Sequence, residues 1–157
     1  MGVAFHIIHV ATGEDIGTKI MAYCQQGLRS VGILSGTGVV STATLRRPSA
    51  PGGTVTYEGR FEMLSLSGSF LLTEREGLLH RIGGISISFA GPDGRVIGGG
   101  IVGLLIAASP VQVVVCSFPW SGSKTKKRKR EGSESEVESE HQGVHNPVAV
   151  NNSIYPN

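Results

Sequence analysis

The amino-acid sequence predicts an α+β domain over residues 1–118, a mainly antiparallel sheet with one main helix, followed by a disordered tail over 119–157. Three observations predict it. β-Branched apolar runs recur between turn residues from Val31 to Phe118. Glu14–Leu28 alone carries apolar residues at convincing helical spacing. Phe89-Ala-Gly-Pro-Asp-Gly-Arg95 is a strong hairpin signal, because Pro92 presets the turn angle and Gly94 accepts positive φ.

The elements follow in order. Phe5–Val10 is a short apolar run suited to a buried strand. Thr12, with Asp15 three residues on, is placed to cap the helix. Ile16, Ile20, Met21, Cys24 and Leu28 then fall near one helical face, and Gly27 is a stop signal. Strands are expected at Val31–Ser35 and Val39–Leu45 around the turn Gly36-Thr-Gly38, then a loop over Arg46–Gly53. Thr54–Tyr57 and Phe61–Ser65 are expected to surround a turn at Glu58-Gly59. Ser67–Thr73, Ile82–Ala90, Val96–Ala107 and Val111–Phe118 complete the strands. Glycines at 83, 84, 98, 99, 100 and 103 cost conformational entropy, so they require either close backbone approach, within or between copies, or bulges.

Composition bounds the function. At 157 residues the chain is long enough for one core. A net charge of +2 with 17% charged residues excludes a uniformly basic nucleic-acid coat and a highly acidic disordered chain. Two cysteines, Cys24 and Cys116, make neither a disulfide scaffold nor a four-thiolate zinc site. The most apolar stretch, Ile97–Phe118, is broken by glycines, Ser109, Pro110 and Gln112, so no membrane span is expected. The start lacks the basic residues of a signal peptide, and the expectation is a soluble intracellular chain with reduced thiols. Charge is segregated only in the tail. Lys124-Thr-Lys-Lys-Arg-Lys-Arg130 is basic, Glu131–Glu140 is acidic and serine-rich, and His141–Asn157 is polar, a composition that cannot offset the entropy of ordering.

Little here suits catalysis, and no enzyme or cofactor is expected. Gly98-Gly-Gly100 lacks the Gly-Lys-Ser/Thr ending of a phosphate loop. Ser65-Leu-Ser-Gly-Ser69 is not a nucleophile elbow. Cys24 and Cys116 lie in apolar settings that suit packing, and Glu74 and Glu76 flank Arg75 in a turn-like stretch. His6 and His9, three apart on a strand, point to opposite faces, which leaves no convergent metal set with His80.

Three segments taken together are specific: Phe5-His-Ile-Ile-His-Val-Ala-Thr-Gly-Glu-Asp15, Gly59-Arg-Phe-Glu-Met-Leu-Ser-Leu-Ser-Gly-Ser-Phe70, and Ile85-Ser-Ile-Ser-Phe-Ala-Gly-Pro-Asp-Gly-Arg-Val-Ile-Gly-Gly-Gly100. In order and spacing they resemble the PPC domain of the plant AT-hook motif nuclear-localized proteins, over roughly residues 4–118. The resemblance implies a curved antiparallel sheet with a helix that assembles as a trimer. It implies a nuclear regulator of transcription, with A·T-rich DNA and transcription factors as partners. The family's Gly-Arg-Phe-Glu-Ile-Leu motif, which recruits those factors, is similar to Gly59, Arg60, Phe61, Glu62, Met63 and Leu64, with Met63 replacing isoleucine at similar volume. On residues alone, Phe61, Met63 and Ser65 alternate with Glu62, Leu64 and Leu66, as an ordinary strand would. The resemblance assigns partner contact to Arg60 and Glu62 above all. Prokaryotic relatives carry histidine motifs that suggest a metal, but the matching positions here are Gly84, Ser86 and Gly100, which supply no ligand.

The family's hook, an Arg-Gly-Arg-Pro core that lies in the minor groove, is not found in these 157 residues; Arg46-Arg47-Pro48 is the nearest match. The alternative reading is therefore an oligomeric scaffold without DNA contact of its own, or a modulator in mixed trimers with hook-bearing relatives. Lys124, Lys126, Lys127, Arg128, Lys129 and Arg130 form a candidate nuclear-import signal or phosphate-contact block. Phosphorylation of Ser133, Ser135 or Ser139 would add negative charge beside it.

Overall fold

The computed structural model describes residues 2–120. The tail's predicted disorder lies outside the described residues beyond Trp120, and Pro119 belongs to the last strand. Seven strands and one helix follow in the order β1 (Ala4–Val10), α1 (Ile16–Cys24), β2 (Arg29–Thr37), β3 (Val39–Arg46), β4 (Thr54–Arg75), β5 (Leu78–Ala90), β6 (Val96–Ala107) and β7 (Val111–Pro119). All strand pairs are antiparallel. This is the α+β class the strand patterning predicts.

β4 organises the sheet. Its 22 residues replace the three strands and the Glu58-Gly59 turn expected from sequence. Gly59 is a strand residue, because pairing with β3 continues on both sides of it, Glu58 with Thr42 and Phe61 with Val40, across a β-bulge. The first half of β4 pairs with β3, and the second half with β2. Along its other edge, from Glu62 onward, β4 pairs with β5 up to the turn at Glu76-Gly77. Glu76 and Gly77 both have positive φ, 52° and 80°, as a two-residue hairpin turn with right-handed strand twist requires. β5 then pairs with β6, and β6 with β3. β3, β4, β5 and β6 thus close into a ring, and β2, β7 and β1 extend from β4 as a wing with β1 at its edge.

The ring forces close approach. Gly68 (φ +147°) and Gly83 (φ +138°) sit where β4 and β5 nearly touch. A Cβ on Gly83 would stand 1.9 Å from the Ser69 carbonyl oxygen, and one on Gly68 2.1 Å from that of Gly84, so no larger residue fits either place. Part of the glycine richness therefore answers to packing inside one chain.

The interior is one continuous cluster. Phe89, Leu45, Leu105, Ile87 and Leu66 fill the ring. Ile8, Val10, Val31, Ile33, Val113 and Val115 line the inner face of the wing, on which α1 lays Ile16, Ile20 and Cys24. Alternation along β7 is clean: Val111, Val113, Val115 and Ser117 are buried, with Gln112, Val114, Cys116 and Phe118 between them more exposed.

Two expectations at the helix are corrected. Its N-cap is Asp15, not Thr12, because Glu14 turns back on Ala11 through both its own N–H and its carboxylate, delaying the first helical residue to Ile16. Asp15 Oδ1 accepts from the Thr18 N–H at 2.9 Å, and Oδ2 from the Leu105 N–H at 3.1 Å, so one carboxylate caps α1 and ties it to β6. The helix ends at Cys24, leaving Leu28 63% exposed rather than on the buried face. Arg81, reaching across from β5, donates to the carbonyls of Cys24, Gly27 and Arg29 and satisfies the end of the helix and the turn beyond it.

Candidate partner-binding site

Gly59–Leu64 lies on β4 where that strand passes from β3 alone to contact with both β3 and β5. Its six residues divide in two. Phe61 and Met63 are buried, 8% and 6% exposed. The Phe61 ring meets Phe89 at 4.8 Å between centroids, and the Met63 sulfur lies over Gly36, where a Cβ would come within 2.8 Å of it. The Met63 N–H donates to the Gly38 carbonyl at 2.9 Å. Gly59 is exposed but supports this half, since a Cβ there would sit 3.1 Å from the Phe61 ring. Arg60, Glu62 and Leu64 face solvent. Among the described residues, neither the Arg60 nor the Glu62 side chain makes a hydrogen bond or ion pair.

A β-bulge produces Leu64. Met63 pairs with Phe89 and Ser65 with Ser88, so Leu64 is the extra residue. Simple alternation would put Leu64 and Leu66 on one face. The bulge separates them: Leu66 is 1% exposed in the core, and Leu64 is 52% exposed. The sequence places Leu64 in the motif but leaves it in alternation with Leu66, because bulges are set by pairing across strands. The only local sign was two leucines that could not both be exposed cheaply. Ser65 instead faces Ser88, their hydroxyl oxygens 2.7 Å apart.

The other candidates fall elsewhere. The basic block from Lys124 to Arg130 lies outside the described residues. Arg47, in the nearest match to a hook, is 6% exposed, donates to the Gly98 carbonyl at 2.8 Å and the Arg46 carbonyl at 3.1 Å, and lies 5.9 Å from the Tyr57 ring. It closes an end of the ring and is withdrawn from any surface ligand, whereas Arg46 is exposed. On β1, His6 pairs opposite Val115 and stacks on Tyr23 at 4.9 Å, while His9 pairs opposite Gln112 on the other face. Among the described residues no three histidine, cysteine or carboxylate side chains converge on a metal position.

A cleft of about 210 Å³ opens at the end of α1, lined by Tyr23, Cys24, Gln26, Gly27, Arg29, Val31 and Ser117. Burial pushes the Cys24 thiol up, and Arg81 only partly offsets that, so the group is a neutral thiol near neutral pH rather than a nucleophilic thiolate. Arg29 is held by Ser117 and by the Gly2 carbonyl, and the lining holds no carboxylate or histidine to act as a base. Among the described residues no helix is long and apolar enough to cross a membrane.

The closed antiparallel ring with one helix presents a mixed polar and apolar strand surface at residues 60–64. The chain belongs to the Plants and Prokaryotes Conserved (PCC) domain family, which matches residues 2–119. It is 58% identical over 125 residues to AT-hook motif nuclear-localized protein 7 of Arabidopsis thaliana, covering 80% of this chain and 39% of that protein. It is 62% identical over 113 residues to AT-hook motif nuclear-localized protein 1 of the same plant, covering 72% of this chain and 32% of that protein. The chain thus spans between about a third and two-fifths of these relatives. The fold is similar to that of a plant- and prokaryote-conserved protein from Pyrococcus horikoshii, with a TM-score of 0.57, 20% identity, and coverage of 73% of this chain and 77% of that one.

Proposed function

We propose that this chain is a nuclear regulator of transcription associated with A·T-rich DNA, and that its domain assembles as a trimer that recruits transcription factors through residues 59–64. Its compartment follows its relatives, which are named nuclear-localized. The observation that carries the reading is the divided motif: Phe61 and Met63 are fastened into the core, which holds Arg60, Glu62 and Leu64 rigidly at the surface. Assembly is supported by apolar exposure on the edge strand, where Phe5 and Ile7 are 71% and 45% exposed, and just before it, where Val3 is 58% exposed. It is further supported by the tip of the β4–β5 hairpin, where Leu78 and Ile82 are 63% and 54% exposed. Neither Cys24 nor the cleft beside it supports a catalytic reading.

Burial of Arg47 favours a second reading, in which this chain modulates hook-bearing relatives within mixed trimers and leaves the minor groove to them. A gel shift of the 157-residue chain on A·T-rich and G·C-rich duplexes, across a salt series, separates the two. Retention on A·T-rich duplex alone supports direct association. Equal, steeply salt-dependent binding assigns contact to nonspecific charge, and no binding leaves the modulator reading.

A further inference from the structure

The recruiting reading treats residues 59–64 as one element, but the structure gives them two separate tasks. Phe61 and Met63 are interior, and Gly59, itself exposed, leaves room for the edge of the Phe61 ring. The exposed side chains that a partner can touch are Arg60, Glu62 and Leu64. Arg60, Glu62 and Leu64 alternate onto one strand face, and the bulge at Leu64 returns Leu66 to the core. The three span roughly 13 Å along the strand at about 3.3 Å per residue.

Resting on that reading, we infer that Leu64 is the anchor of the contact and that Arg60 and Glu62 set its specificity. The partner is then a protein segment carrying an acidic group, a basic group and an apolar side chain in matching order. Charge complementarity argues for this occupant. Arg60 and Glu62 are opposite charges that no other described side chain neutralises, at a spacing set by the strand. A partner with one sign of charge would meet repulsion at one of the two positions. Nucleic acid is disfavoured for the same reason, since Glu62 would stand against phosphate. Leu64 contributes affinity by burying its apolar surface, and the flanking pair contributes register and discrimination.

The test is a random-peptide display selection against the full chain, followed by affinity measurements of the selected peptides. Peptides enriched in an acid–x–base–x–apolar pattern, in either direction, are expected. L64S should weaken them by about tenfold or more, with an unchanged unfolding midpoint. The charge reversal R60E/E62R should select peptides with the acid and base exchanged. If selected peptides bind these residues without any charge order, or survive both L64S and the reversal, the division of labour is wrong while recruitment at this strand stands. If no peptide binds here, because selection yields nothing or maps elsewhere by cross-protection of amide exchange, both readings fall.

Discussion

Arg81 supplies what the helix lacks in its own sequence. α1 has no basic residue in its last turn. The guanidinium instead comes from β5 and donates to three carbonyls at the end of the helix and the turn after it. Hydrogen bonds from a charged donor contribute more than neutral ones. Arg81→Met, which keeps the stem and removes the donors, is expected to destabilise the protein by about 2 kcal/mol, read as a lower denaturant midpoint with an unchanged slope. Cys24 lies under the same cap. Its folded pKa is raised by burial, so the folded state holds the proton to higher pH than the unfolded chain does. That contribution to stability is complete below the ordinary thiol value and is lost as pH rises from there through the higher folded value. Unfolding midpoints of the wild type should therefore fall more steeply than those of Cys24→Ala on going from neutral to strongly alkaline pH. Parallel profiles would remove the thiol from the account. Neither effect was legible in the sequence, since Arg81 and Cys24 are 57 positions apart and nothing local joins them.

At the scale of the element, β4 carries both stability and the proposed contact, and its bulge lets them be separated. Deleting Leu64 alone would leave Met63 opposite Phe89 and Ser65 opposite Ser88, now in unbroken alternation with Leu66 still inward. That deletion is expected to fold within about 1 kcal/mol of wild type and to lose partner binding. Phe61→Ala, by contrast, removes a ring packed on Phe89 and is expected to cost about 3–5 kcal/mol. Circular dichroism and thermal melts of the two variants distinguish these outcomes, and removal of all six residues would confound them. Most of the strands were legible because alternation and β-branching are local. β1, β3, β6 and β7 fall within a residue or two of their expected ends. β4 was not, because glycine at 59 signals a turn as readily as a tight place beside Phe61. Only pairing with β3 decides between them. The alternation of Phe61 and Met63 inward was readable. The reversal after Leu64 was not, since register with β5 depends on residues more than twenty positions away.

Across the whole molecule, local patterning could not reveal the ring of β3, β4, β5 and β6, because the pair that closes it, β3 with β6, joins distant segments such as Val40 and Ala107. Family resemblance supplied the curvature in advance, through the same three segments that place Asp15 at the helix cap, Met63 in the core and Gly100 opposite Ser86. The ring explains Gly68 and Gly83 without a second copy, yet it leaves Phe5 and Ile7 on an edge strand that carries no charged residue, proline or bulge to discourage pairing. Such an edge is tolerated when another chain covers it, and three copies would also present three Arg60–Glu62–Leu64 surfaces at once, raising effective concentration without a new contact. Sedimentation equilibrium of the 157-residue chain over low to high micromolar concentration tests this assembly most directly. The account predicts a mass three times the 16.5 kDa of one chain, and a single-chain mass across that range would contradict it.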